Sequence, residues 1–219
     1  MFVHVNGLDL YYEKKGSGRP LLLIHGNGED HTIFDEAVNE LKEQFTCYAL
    51  DTRGHGQSTF SGSLHYEDMA DDITGFIDAL QLEDVICYGF SDGGITGLLA
   101  ASRCGRIRDL IVSGANITPD GVKGPLKAFI RLMYLFTRDD KMRLMLEEPQ
   151  IPLETLRSIK ARTLVLAGEK DLVSEIQTLT IGANIPFAET RILKGEGHGS
   201  YIVHSTKIAF LIDEFVQNA

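Results

Sequence analysis

Val85-Ile86-Cys87-Tyr88-Gly89-Phe90-Ser91-Asp92-Gly93-Gly94-Ile95 decides how this chain folds. The first four residues are an unbroken apolar run, as expected of a strand covered on both faces. Gly89, Ser91 and Gly93 fit G-x-S-x-G. Ile95, Leu98, Leu99 and Ala100 then recur at helical spacing. A strand enters the turn and a helix leaves it, which is the context a nucleophile elbow needs. Flanking glycines avoid Cβ clashes in so tight a turn. The serine would stand exposed above the sheet, near a helix N-terminus whose dipole favours developing negative charge. The five-residue pattern alone also describes an ordinary Gly-Ser turn; the flanks argue against that.

The same alternation extends in both directions. Apolar runs at Pro20–Ile24, Phe45–Leu50, Leu110–Val112 and Thr163–Ala167, with a weaker one at Arg191–Leu193, read as further strands. Helical stripes lie between or after them: Ile33 to Leu41, Met69 to Leu80, and Ile208 to Phe215. Strands alternating with helices predict an α/β fold, a mostly parallel sheet with helices on both faces. Two short alternating segments, Phe2–Val5 and Leu8–Glu13, flank Asn6-Gly7, a hairpin signal that adds antiparallel strands at one edge. The count comes to about eight strands. One region breaks the rhythm. Turn-formers cluster from Gly114 to Pro125, and a helical pattern runs from Leu126 to about Glu147. Residues 1–219 are therefore read as one domain, with 117–150 a short helical insertion above the sheet.

Composition narrows the function. Apolar residues make up 43% and the formal net charge is −10. An acidic surface disfavours nucleic acid and anionic membrane surfaces as partners. The three cysteines, Cys47, Cys87 and Cys104, suggest neither a disulfide framework nor a CxxC site. The N-terminal residues lack the basic start and apolar stretch of a signal peptide, and no run approaches a membrane-spanning length. A cytoplasmic location is expected. No HExxH or comparable spacing points to a metal.

A serine hydroxyl is a poor nucleophile until a base takes its proton. His198, in Gly195-Glu196-Gly197-His198-Gly199 after the last expected strand, is the candidate base. His4, His31, His65 and His204 sit on the edge hairpin or at helix starts and read as structural or solvated. The imidazole in turn needs a carboxylate to fix its tautomer. Asp171 stands in Gly168-Glu169-Lys170-Asp171, directly after a strand; Glu169 is the rival, set aside because Asp171 lies farther along the loop. All three candidates fall beyond the carboxyl ends of expected strands, where open α/β sheets place their sites. Oxyanion stabilisation calls for backbone donors, and the candidates are the N–H groups of Asn27, in His25-Gly26-Asn27-Gly28, and of Asp92. Asp51-Thr52-Arg53-Gly54-His55-Gly56-Gln57-Ser58 reads as a structural loop. Two readings of the Asp92 side chain stay open: a helix-start aspartate held by local N–H groups, or a contact for a substrate ammonium. Phe129, Met133 and Phe136 either line an acyl pocket or form the buried face of their helix, and exposed apolar residues there would suit a homodimer interface.

These stations, in this order, resemble the α/β-hydrolase superfamily over nearly the whole chain. Gly89-Phe-Ser-Asp-Gly-Gly-Ile-Thr and Ser113-Gly-Ala-Asn are similar to the valacyclovir hydrolase and biphenyl hydrolase-like group. The resemblance implies hydrolysis of a small-molecule carboxylic ester, or a related acyl bond, through Ser91, Asp171 and His198 and without a cofactor. The insertion is shorter than in those relatives, which predicts a shallow, open pocket. Relatives also cleave C–C bonds of dienone acids or act as perhydrolases, and a low-turnover ligand receptor is a further reading. Dehalogenases and epoxide hydrolases need an aspartate where Ser91 stands.

Overall fold

The computed structural model describes residues 1–60 and 62–218. Eight strands form one sheet: β1 (Phe2–Val5), β2 (Leu8–Lys15), β3 (Arg19–Ile24), β4 (Phe45–Leu50), β5 (Val85–Phe90), β6 (Ile107–Ser113), β7 (Arg162–Lys170) and β8 (Ala188–Gly197). Their spatial order is β1-β2-β4-β3-β5-β6-β7-β8. β1 and β2 pair antiparallel, as do β2 and β4; every other pairing is parallel. Asn6 and Gly7 turn the first hairpin with φ of 49° and 79°, the left-handed pair that a tight two-residue turn requires.

The apolar strands are continuous because both sheet faces are covered. Leu22 and Ile24 point into one buried cluster, which contains residues of α2 (Tyr66–Ala79) and α3 (Asp92–Arg103). Leu21 and Leu23 point into the opposite cluster, which contains residues of α1 (Asp35–Leu41) and α8 (Lys207–Gln217). Period-two alternation thus serves two cores at once. All three cysteines are buried.

Between β6 and β7 lie α4 (Gly124–Thr137), α5 (Asp140–Glu147) and α6 (Leu153–Ser158), and α7 (Glu175–Asn184) connects β7 to β8. The helical pattern read from Leu126 to Glu147 is two helices. Arg138 closes α4 in the left-handed region, and the Asp139 side chain accepts from Lys141 N–H to start α5. α6 and α7 have no counterpart in the sequence reading. α6 has six residues, too few for a periodic stripe, and α7 buries only Thr178 and Ile181. Among the described residues no helix is long and apolar enough to cross a membrane.

Candidate active site

Five adjacent strands, β3 and β5 to β8, run parallel, so their carboxyl ends share one rim. The loops leaving β3, β5, β7 and β8 carry Asn27, Ser91, Asp171 and His198. Residues distant in sequence therefore meet because parallel pairing aligns the strand ends. Ser91 adopts φ 52°, ψ −115°, a strained conformation for a residue with a side chain. The turn is held by Ser91 N–H donating to Ser113 O at 2.8 Å. It is also so close-packed that a Cβ on Gly93 would lie 2.2 Å from Ile24 O, and one on Gly89 2.1 Å from Gly93 O.

His198 Nε2 lies 3.1 Å from Ser91 Oγ, and its Nδ1 lies 2.6 Å from Asp171 Oδ1. Asp171 is buried and also accepts from Val173 N–H at 2.9 Å and Gly168 N–H at 3.2 Å. Burial alone would push its carboxyl up. The His198 hydrogen bond and charge, with the two N–H donors, outweigh that and hold it below the usual carboxylate range. A carboxylate kept ionised beside Nδ1 makes Nδ1 the donor and leaves Nε2 to accept the serine proton. The Phe90 ring packs 4.9 Å from the imidazole. Glu169, the rival acid, instead accepts from Gly195 N–H at 2.8 Å on the exposed side of the rim.

Asn27 and Asp92 both line a cavity of about 510 Å³ with Ser91 and His198. As the first residue of α3, Asp92 leaves its N–H without an intrahelical acceptor. Its side chain is buried and is held by another side chain, where one sequence reading had local N–H groups. Asn27 Nδ2 donates to Asp92 Oδ2 at 2.8 Å and to Lys141 O at 3.2 Å. Burial raises the Asp92 carboxyl, and hydrogen bonding with Asn27 and Tyr66 offsets part of the rise.

Phe129 lines the cavity with Leu126 and Ile130; Met133 and Phe136 do not. α4 faces the cavity only through its first turns, and Phe136 is 80% exposed. The wall is continued by Met142 and Met145 of α5. Their i, i+3 spacing is visible in the sequence. Two helices therefore border this cavity. Tyr66, Glu29 and Glu148, also in the wall, gave no signal, since lone acids and tyrosines in loops or at helix starts read as solvated or packed.

The loop after β4 is structural in geometry. Asp51 accepts from His31 N–H at 2.8 Å and from Gln57 N–H at 2.8 Å, while Arg53 pairs with Asp72 at 2.6 Å. Asp30, His31 and Asp51 place ligand-type atoms within 4.8 Å of one another. The Asp51 carboxylate is already engaged by these N–H groups and by His31 Nδ1 at 2.7 Å, so the cluster reads as a folded-loop lock.

Residues 19–137 match the family described as alpha/beta hydrolase fold. The chain is 28% identical to the mouse (Mus musculus) Serine hydrolase BPHL over 98% of its own length and 85% of the mouse protein. That aligned span, 249 positions, exceeds the 219 residues of this chain, so the mouse protein carries segments absent here. The chain is 40% identical to the AB hydrolase superfamily protein YisY of Bacillus subtilis (strain 168), over 43% of this chain and 36% of that protein. The Exiguobacterium antarcticum esterase superposes with a TM-score of 0.84 at 22% identity, covering 99% of this chain and 98% of the esterase. A family match over more than half the chain, a sheet ordered β1-β2-β4-β3-β5-β6-β7-β8 and strand-end loops converging on one serine lead to a single assignment: the chain belongs to the α/β-hydrolase fold family.

Proposed function

We propose that this protein is a serine hydrolase that cleaves a carboxylic ester, or a related acyl bond, of a small molecule through an acyl-enzyme. The observation that carries the reading is the unbroken chain Ser91 Oγ, His198 Nε2, His198 Nδ1, Asp171 Oδ1, with separations of 3.1 Å and 2.6 Å at its two hydrogen-bonded contacts. His198 takes the Ser91 proton as Oγ attacks the carbonyl, and Asp171 stabilises the resulting imidazolium. The backbone N–H groups of Asn27 and Asp92 hold the oxyanion. The imidazolium gives its proton to the leaving group, and water activated by the same base releases the acid. Helices α4 and α5, in residues 117–150, act as a short cap, with Phe129, Met142 and Met145 as the acyl wall.

The cavity wall contains four carboxylates, Glu29, Asp92, Asp139 and Glu148, against a single lysine, Lys141. A substrate bearing its own carboxylate meets net repulsion there. That favours neutral or amine-bearing esters over the dienone acids of C–C bond hydrolases. Replacing Ser91 with alanine is expected to lower kcat on a short p-nitrophenyl ester by roughly a thousandfold or more. It should also abolish fluorophosphonate labelling. Wild-type turnover in the Ser91→Ala protein would refute the assignment.

A further inference from the structure

Of the carboxylates around the cavity, Glu29 sits on the loop that carries Asn27. Its Oε2 accepts from Gly26 N–H at 2.9 Å, and its own N–H donates to Gly26 O at 3.3 Å. The Glu29 side chain and backbone therefore close a four-residue ring on Gly26. His25 braces the same loop from below. Its Nε2 accepts from Thr52 N–H at 3.1 Å, which fixes Nδ1 as the donor to Gly26 O at 2.7 Å. Gly26 is thus bonded at both its N–H and its carbonyl, and its peptide unit leads directly to the Asn27 N–H. The ring abuts the nucleophile: the Cβ direction of Gly26 points to within 2.7 Å of Glu29 Oε2 and 3.2 Å of Ser91 Cβ.

A half-buried carboxylate beside a developing oxyanion is electrostatically unhelpful, so its presence calls for a compensating role. Burial pushes the Glu29 carboxyl up, with Asp92 and Asp30 adding to the rise, and the Gly26 N–H offsets part of it. What Glu29 supplies is reach and acceptor capacity for a loop N–H that would otherwise lose its partner.

We propose that Glu29 is the positioning residue of the oxyanion loop, its side-chain oxygen clamping Gly26 N–H so that the Asn27 N–H is held beside Ser91. The proposal rests on the serine-hydrolase reading and adds a residue to it. Catalytic donors must be fixed before charge develops, and a misplacement of even an ångström is costly.

Three substitutions separate reach from charge. Glu29→Gln keeps the acceptor and removes the charge; Glu29→Asp keeps the charge and withdraws the acceptor by one methylene; Glu29→Ala removes both. The measurements are kcat and KM on a short p-nitrophenyl ester, the rate of fluorophosphonate inactivation, and hydrogen exchange of the Gly26 amide. The Gln variant should stay within about threefold of wild type in kcat, whereas the Asp and Ala variants should fall by about tenfold or more with KM little changed. Gly26 exchange should accelerate in the same two variants. If the Ala variant fails to fold, the Asp variant decides the matter. Wild-type kcat and Gly26 protection in a folded Asp or Ala variant overturns the proposal, as does a Gln variant as impaired as Ala while Gly26 stays protected. A wild-type chain inert to both ester and fluorophosphonate overturns the hydrolase reading itself. A reactive wild type with unimpaired Asp and Ala variants overturns only the role of Glu29.

Discussion

At the residue scale, the candidate site depends on side chains that are absent as much as on those present. Gly114 follows β6 with φ +61°, and a Cβ there would lie 2.7 Å from His198 Cε1 and 2.8 Å from Nδ1. Gly114→Ala should therefore push the imidazole off the line joining Ser91 to Asp171. The left-handed conformation costs alanine about 1–2 kcal/mol, which a folded chain can bear. Its kcat should fall by about a hundredfold, the penalty typical of a displaced catalytic group. Thermal melting together with ester turnover checks this; full activity in a folded Gly114→Ala protein would refute the steric account. Ser91, Asp171 and His198 were legible because each occupies a glycine-marked loop or turn just beyond an apolar run. Met133 misled because periodicity identifies the face of a helix and not how far along that face a cavity extends. Glu29 was invisible because its partner is a backbone N–H, which has no sequence signature.

At the element scale, the two helices between β6 and β7 are held very unequally. α5 and the residue after it are tied to the segment before α2. Arg143 Nη2 donates to Leu64 O at 2.6 Å, the Asp140 carboxylate accepts from Leu64 N–H, and Glu148 accepts from Tyr66 N–H at 3.1 Å and pairs with His65 at 2.6 Å. α4, with fourteen residues, buries Ile130 alone and exposes Phe129, Leu132, Leu135 and Phe136 by half or more. Few buried contacts mean a low free energy of local opening. Brief trypsin treatment under native conditions should therefore cut first after Lys127, Arg131 or Arg138, with the sheet and α5 protected. Mass mapping of the first fragments is the check, and initial cleavage elsewhere would contradict it. The insertion was visible in the sequence as a break in alternation. Its division at Arg138 is passed over when the stripes on either side are read as one, although residues 137–141 are all polar and Asp139 offers a cap there.

At the scale of the whole molecule, buried histidines contribute to the acid response. His55 is buried with Nε2 unpartnered, and burial, reinforced by the nearby His25, lowers its pKa from 6.5 to about 4. His25 is lowered for the same first reason. The unfolded chain takes up the His55 proton near pH 6.5, while the folded chain resists until about pH 4. Stability contributed by neutral His55 is thus present above pH 6.5 and lost as pH falls through that window, by at most about 3 kcal/mol. Glu29 and Asp92, whose carboxyls burial raises, pull the opposite way. The difference between wild type and His55→Gln isolates the histidine term. Urea denaturation across pH 7 to 4 should give a shallower decline in the variant, and parallel curves would exclude His55 as the source.

The sequence by itself determined the alternating strands and helices, the edge hairpin, the G-x-S-x-G turn, and the strand-end loops carrying Asp171 and His198. Each of these is written in local periodicity or in glycine placement. Only the tertiary structure decided that Asn27 bridges Asp92 and Lys141, that Met142 and Met145 replace Met133 in the cavity wall, and that Glu29 closes on Gly26. The first two depend on how α4 and α5 settle over the sheet, and the third on how one loop curls back upon itself. Distances through space of that kind follow from packing and backbone dihedrals, which no local pattern of residue types encodes.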